Sequence, residues 1–185
     1  MENISIITIH PPFAKSFTCF DHPEGHGRGP GDALGKDCVV QKLFNSCFRT
    51  YRNDGNRNED WFTWNEPVLA PCDGVVDDIY IDPKPANIIG MPIEDRRATI
   101  VLFKCQDETR LMYAHLQDIQ VTIGERVIAG QFFARVGNNG NSYNPHLHIG
   151  AYKGDEPLAI VFDHRIMGKQ WRALKDEGYF GTEFQ

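Results

Sequence analysis

The segment between residues 67 and 152 is a series of short apolar runs separated by turn residues, and this pattern limits the chain to few folds. Two of the runs, 98–105 and 110–116, are separated by the polar residues Q-D-E-T, which predicts an antiparallel hairpin. The runs at 119–142 and 146–152 predict further short strands, and only 166–178 has the pattern of a short helix. We therefore predict an all-β fold: a mainly antiparallel sheet, barrel-like or sandwich-like, with long loops and a short C-terminal helix.

The length of 185 residues fits one domain that spans 1–185. Within it, residues 20–37 are rich in glycine and proline and predict a loop, and residues 38–44 predict a strand. Residues 45–65 form a polar insertion that ends in aromatic residues. Trp61, Phe62 and Trp64 are expected to anchor this insertion on the sheet, with a role as walls of a substrate groove as the alternative.

Composition excludes several functional classes. No apolar stretch approaches the roughly 20 residues of a membrane-spanning helix. The first residues, M-E-N-I-S-I-I-T-I, lack a basic region before their apolar run and predict a strand or an arm rather than a signal peptide. The formal net charge is -6 and no block of Lys or Arg occurs, so we expect no nucleic-acid partner. The sequence does not predict an oligomeric state.

The five cysteines contain no C-x-x-C pair, which argues against a structural zinc knuckle or a redox motif. Most of them stand beside apolar residues, so we expect them to be mainly buried small hydrophobic side chains. One or two disulfides are the alternative if the protein is exported.

Two histidines at i and i+2 carry the first indication of chemistry. His146 and His148 flank Leu147 in the predicted strand 146–152, so both imidazoles should project from the same face. A pair of neutral imidazoles can bind a metal ion, or can bind a metal and move protons. The alternative is a pair of polar residues on the solvent face of a strand.

The order of motifs around this pair is more specific. It runs P-V-L-A-P-C-D-G-V-V (67–76), Y-A-H-L (113–116), V-T-I-G-E-R-V-I-A-G-Q (121–131) and P-H-L-H (145–148). This order and spacing resemble the lysostaphin-like, LytM-type zinc endopeptidases, which cut peptide crosslinks of bacterial peptidoglycan. The V-x-x-G-x-x-V-x-x-G-Q segment also resembles the hairpins of biotinyl and lipoyl carriers, but the corresponding turn, G-N-N-G-N, lacks their lysine.

The resemblance implies roles for individual residues. His148, the second histidine of H-x-H, would bind Zn²⁺. His146 and His115 would lie beside the metal, assist the attacking water and stabilise the tetrahedral intermediate. The upstream H-x-G-x-D motif of the family is matched best by A33-L-G-K-D37, which makes Asp37 the expected carboxylate ligand and puts Ala33 where the family has a zinc-binding histidine.

The missing imidazole leaves the third ligand open. We expect His26 from the glycine-rich loop to supply it, with His22 and Asp32 as the other candidates. The chain is then predicted to be a zinc-dependent peptidase acting on peptidoglycan peptides or other short peptides. If nothing replaces the histidine, it is a degenerate member that binds peptide or regulates a partner wall hydrolase. The resemblance implies the cell envelope, the periplasm or secretion, with the cytoplasm as the alternative.

Overall fold

The structure is a computed structural model that describes residues 4–25, 27, 29, 31–44 and 47–179. The described residues form fifteen short strands, one 3₁₀ turn (Asn58–Asp60) and one α-helix. In chain order the elements are β1 (Ile6–Ile9), β2 (Phe17–Asp21), β3 (Lys36–Val40), β4 (Lys42–Phe44), β5 (Cys47–Arg49), β6 (Pro67–Leu69), β7 (Gly74–Tyr80), β8 (Ile100–Cys105), β9 (Arg110–Ala114), β10 (Leu116–Gln117), β11 (Arg126–Val127), β12 (Phe132–Val136), β13 (Leu147–Lys153), β14 (Glu156–Pro157), β15 (Ala159–Phe162) and α1 (His164–Asp176).

The largest sheet has eight strands, in the order β11-β7-β8-β9-β13-β3-β2, with β14 paired to β13. Every pair in it is antiparallel, and the predicted hairpin is formed by β8 and β9. Three smaller sheets are separate from it: the antiparallel sheet β10-β12-β6, the antiparallel pair β4-β5 and the parallel pair β1-β15. The predicted all-β, mainly antiparallel fold is therefore confirmed.

The two faces of the large sheet differ because strand side chains alternate between faces. On one face of β8 and β9, Val101, Phe103, Leu111 and Tyr113 are fully buried and belong to the hydrophobic core. The intervening residues are less buried, and the face they share carries the candidate site. The apolar alternation of this hairpin thus decides which side chains can reach a ligand.

Two element boundaries differ from the sequence-based prediction. The predicted strand 38–44 is divided at Gln41 into β3, which pairs with β2 and β13, and β4, which pairs with β5. The helix begins at His164, two residues before the predicted start, because the Asp163 side chain caps it by accepting from the N–H groups of Arg165 and Ile166.

The expectation that the cysteines are mainly buried small hydrophobic side chains is wrong, and the alternative of two disulfides is what the structure has. Cys19 and Cys38 form one disulfide and Cys72 and Cys105 another, while Cys47 is a free, exposed thiol. Cys19 and Cys38 are directly opposed in the β2–β3 ladder. This pairing depends on the register of two strands, which residue neighbourhoods in the sequence do not show.

The Cys19–Cys38 disulfide ties the edge strand β2 to β3, so its removal should destabilise this side of the sheet. The double variant Cys19→Ala/Cys38→Ala is expected to lose about 3 kcal/mol in free energy of unfolding, the usual value for a crosslink that closes a loop of this length. Urea denaturation of the two proteins measures the difference. Cys47→Ala is the control. An equal change in the free energy of unfolding for Cys47→Ala and for the double variant would contradict a structural role for the disulfide.

Candidate metal centre

Three neighbouring strands of the large sheet bring a carboxylate and two imidazoles to one face. His148 on β13 lies directly opposite Asp37 on β3, and Asp37 lies opposite Phe20 on β2. His22 follows Phe20 by two positions, and its backbone N–H donates to Gly35 O, so the β2–β3 ladder continues through it. Directly opposed residues and residues two apart share a face. His22, Asp37 and His148 therefore converge.

The distances within this group fit a zinc site. Asp37 Oδ1 lies 2.9 Å from His148 Nδ1, and Asp37 Oδ2 lies 3.1 Å from His22 Nε2. One ligand atom from each of the three residues lies within 4.8 Å of the others. Ligands around a tetrahedral zinc stand roughly 3.3 Å apart, and two histidines with one carboxylate are a donor set typical of catalytic zinc. The residues present fit the metal that the sequence resemblance implies.

The electrostatics of the group favour an ionised carboxylate. Burial by itself raises the pKa of Asp37, but the hydrogen bond from His148 and the charges of His146, His148 and His22 outweigh it and lower that pKa well below 3.8. Burial lowers the pKa of His148, but its contacts with Asp37, Asp32 and Gly31 O raise it above 6.5 overall. This attraction between an anion and imidazoles is strongest where solvent is excluded.

His115 occupies a corner of the chain. It follows β9, precedes β10 in the smaller sheet, and has a φ of +64°, a conformation that few non-glycine residues adopt. His115 Nδ1 lies 2.7 Å from Asn139 O. Because a carbonyl only accepts, Nδ1 carries the proton of the neutral ring and Nε2 is left as the reactive nitrogen.

His146 lies between His115 and the carboxylate. Its ring centroid is 4.4 Å from that of His115, and its Nε2 is 3.6 Å from Asp37 Oδ1. Its Nδ1 is 2.9 Å from Asn144 O and 3.3 Å from Ser142 Oγ. Burial lowers the pKa of His146, and burial together with the charges of His146 and His148 lowers the pKa of His115 well below 6.5. Both shifts favour the neutral form of the imidazole.

All these side chains line one open groove of about 880 Å³. Its other lining residues include the apolar Val39, Ile100, Met112 and Ala114, and Arg97 and Tyr143. The aromatic residues of the insertion are not among the described residues that line it. Trp61 packs on Tyr51, and Phe62 stacks on Phe44, with ring centroids 5.0 and 5.7 Å apart. The groove is large enough to hold an extended peptide segment.

The predicted residues His115, His146, Asp37 and His148 lie together in this groove. Ala33 is buried, and His22, one of the alternative candidates, reaches Asp37 from the adjoining strand. His26, the favoured third ligand, lies outside the described residues. Asp32 Oδ1 lies 3.6 Å from His148 Nε2. Asn139, whose carbonyl contacts His115 Nδ1, was not predicted as a site residue, although it belongs to the turn G-N-N-G-N.

A family model described as "Peptidase family M23" matches residues 60–160 of the chain. The chain belongs to peptidase family M23. The match includes His115, His146 and His148, and it begins after His22 and Asp37. No curated protein sequence matches the chain.

Three solved structures with a similar fold are each less than 25% identical to this chain. A chain of a complex of SpoIIIAH and SpoIIQ is 16% identical with a TM-score of 0.53, covering 81% of this chain and 95% of that one. Csd3 from Helicobacter pylori is 21% identical with a TM-score of 0.50, covering 94% and 39%. An M23-type protein from Pseudomonas aeruginosa is 19% identical with a TM-score of 0.49, covering 85% and 50%. This chain therefore spans half or less of the last two proteins.

Proposed function

We propose that this M23 protein is a zinc-dependent endopeptidase that hydrolyses peptide crosslinks of bacterial peptidoglycan. The observation that supports this most directly is the approach of His22, Asp37 and His148 within one groove, beside two neutral histidines. Three protein ligands leave a fourth position for water, which is the arrangement of a catalytic rather than a structural zinc site.

Each residue then has a separate task. Bound zinc would lower the pKa of a water to about 7 and polarise the scissile carbonyl. Asp37 holds one ligand position and keeps its charge because of the adjacent imidazoles. His115, neutral and with its Nδ1 engaged by Asn139 O, offers Nε2 to take up or return a proton. His146 lies beside His115. Once its Nε2 is protonated, His146 donates to the negative charge that develops on the carbonyl oxygen.

The substrate class follows from the groove and the family. The open shape of the groove and the apolar part of its lining, Val39, Ile100, Met112 and Ala114, suit an extended, small-residue peptide, such as a glycine- or alanine-rich bridge. The two disulfides support a place in an oxidising compartment, either the cell envelope or the medium. No helix among the described residues has the length and apolar character to cross a membrane.

Metal content and cleavage test the proposal together. Elemental analysis should find about one zinc per chain, and the purified protein should cleave crosslinked peptidoglycan peptides into two products that together gain one water. A chelator should abolish cleavage, and zinc added after its removal should restore it. If added zinc does not bind, the function is instead that of a non-catalytic member that binds peptide or regulates a wall hydrolase.

A further inference from the structure

The backbone of Gly31 and Asp32 contacts both histidines of the metal centre, on the side away from Asp37. Gly31 O lies 3.3 Å from His148 Nε2, and Asp32 O lies 3.1 Å from His22 Nδ1. The opposite nitrogen of each ring, His148 Nδ1 and His22 Nε2, faces Asp37. Two consecutive carbonyls therefore face the two rings, one each.

We infer that the Gly31–Asp32 turn selects which nitrogen each histidine presents to the metal: Nδ1 of His148 and Nε2 of His22. A neutral imidazole has one N–H, and a carbonyl oxygen can only accept. The nitrogen that faces Asp37 also lies within hydrogen-bond distance of a carboxylate oxygen, at 2.9 Å for His148 Nδ1 and 3.1 Å for His22 Nε2. Bound zinc would replace the proton on that nitrogen, so the nitrogen that faces the turn would carry the one N–H of each neutral ring. This inference rests on the proposed zinc site, and it makes Gly31 and Asp32 positioning residues rather than ligands.

The turn can lie this close because Gly150 has no side chain. Gly150 follows His148 by two positions on β13 and shares its face, and a Cβ built on it would lie 1.7 Å from Gly31 O. The turn is held from within by two backbone hydrogen bonds, from Asp32 N–H to Gly29 O and from Gly35 N–H to Asp32 O. A methyl group at position 150 must therefore displace the Gly31 carbonyl from His148. The substitution leaves the proposed zinc ligands and the residues next to them in the sequence unchanged.

Gly150→Ala is consequently expected to weaken zinc binding by about 10- to 100-fold, the usual cost of losing an outer partner of a metal-bound histidine. Competition between the protein and a chelating zinc indicator measures the affinity without an activity assay. Gly29→Ala is the matched control: it makes the same change beside the turn, where a Cβ meets no atom of the described residues within 4 Å. Equal zinc affinities for Gly150→Ala and the unmodified protein would overturn the inference.

Nitrogen NMR of the unmodified, zinc-loaded protein tests the same point without a substitution, and it decides the matter if Gly150→Ala does not fold. In protein labelled with ¹⁵N at histidine, His148 should be metal-bound at Nδ1 and protonated at Nε2, and His22 the reverse. Binding through the opposite nitrogens would overturn the inference and leave the proposed zinc site standing. Failure of the unmodified protein to bind zinc would overturn both.

Discussion

Replacing His22 with alanine is expected to lower the affinity for zinc by about 100-fold or more and to abolish peptide cleavage. Even the loss of an outer partner of a metal-bound histidine costs about 10- to 100-fold, so the loss of a ligand should cost at least the upper value. His22 Nε2 lies 3.1 Å from Asp37 Oδ2, and without it only Asp37 and His148 remain of the group. Competition with a zinc indicator, together with circular dichroism to check folding, measures the effect.

Two further histidine variants make this result specific. His164→Ala removes an exposed imidazole at the start of α1 and should leave zinc affinity unchanged. His26→Ala tests the histidine that the sequence alone favoured as third ligand. The assignment of His22 would be contradicted if the His26 variant lost zinc while the His22 variant kept it.

The second large effect concerns His115. His115→Ala should lower kcat by about 100- to 1,000-fold, in the range found when a general acid–base or a charge-stabilising donor is removed. Zinc content should stay at the unmodified level, because His115 is not part of the group that faces Asp37 and its Nδ1 is engaged by Asn139 O. Steady-state kinetics and elemental analysis of the same preparation separate the two quantities.

The protein without this imidazole should also keep its KM, since the groove is otherwise unaltered. A result in which zinc is lost along with kcat would make His115 a ligand rather than a proton carrier. A kcat that stays within a few-fold of the unmodified value would exclude His115 from the chemistry altogether.

Short-range patterns in the sequence predicted the all-β fold and the shared face of His146 and His148. Alternating apolar residues in 98–105 and 110–116 predicted the β8–β9 hairpin, because strand side chains alternate between faces. The same rule places His146 and His148 on one face, and the family resemblance adds His115 and Asp37. All four lie in the groove of the structure. These predictions needed only neighbours in the sequence or a known order of motifs.

Only the tertiary structure shows that His22 lies beside Asp37 and which cysteines pair. His22 reaches Asp37 because β2 pairs with β3 in one particular register, and the same register brings Cys19 opposite Cys38. A register shifted by one residue would turn His22 to the other face. The turn at Gly31 depends likewise on Gly150, more than 100 positions away in the chain. Such contacts are set by strand pairing and close packing between distant segments, which a reading of neighbouring residues does not contain.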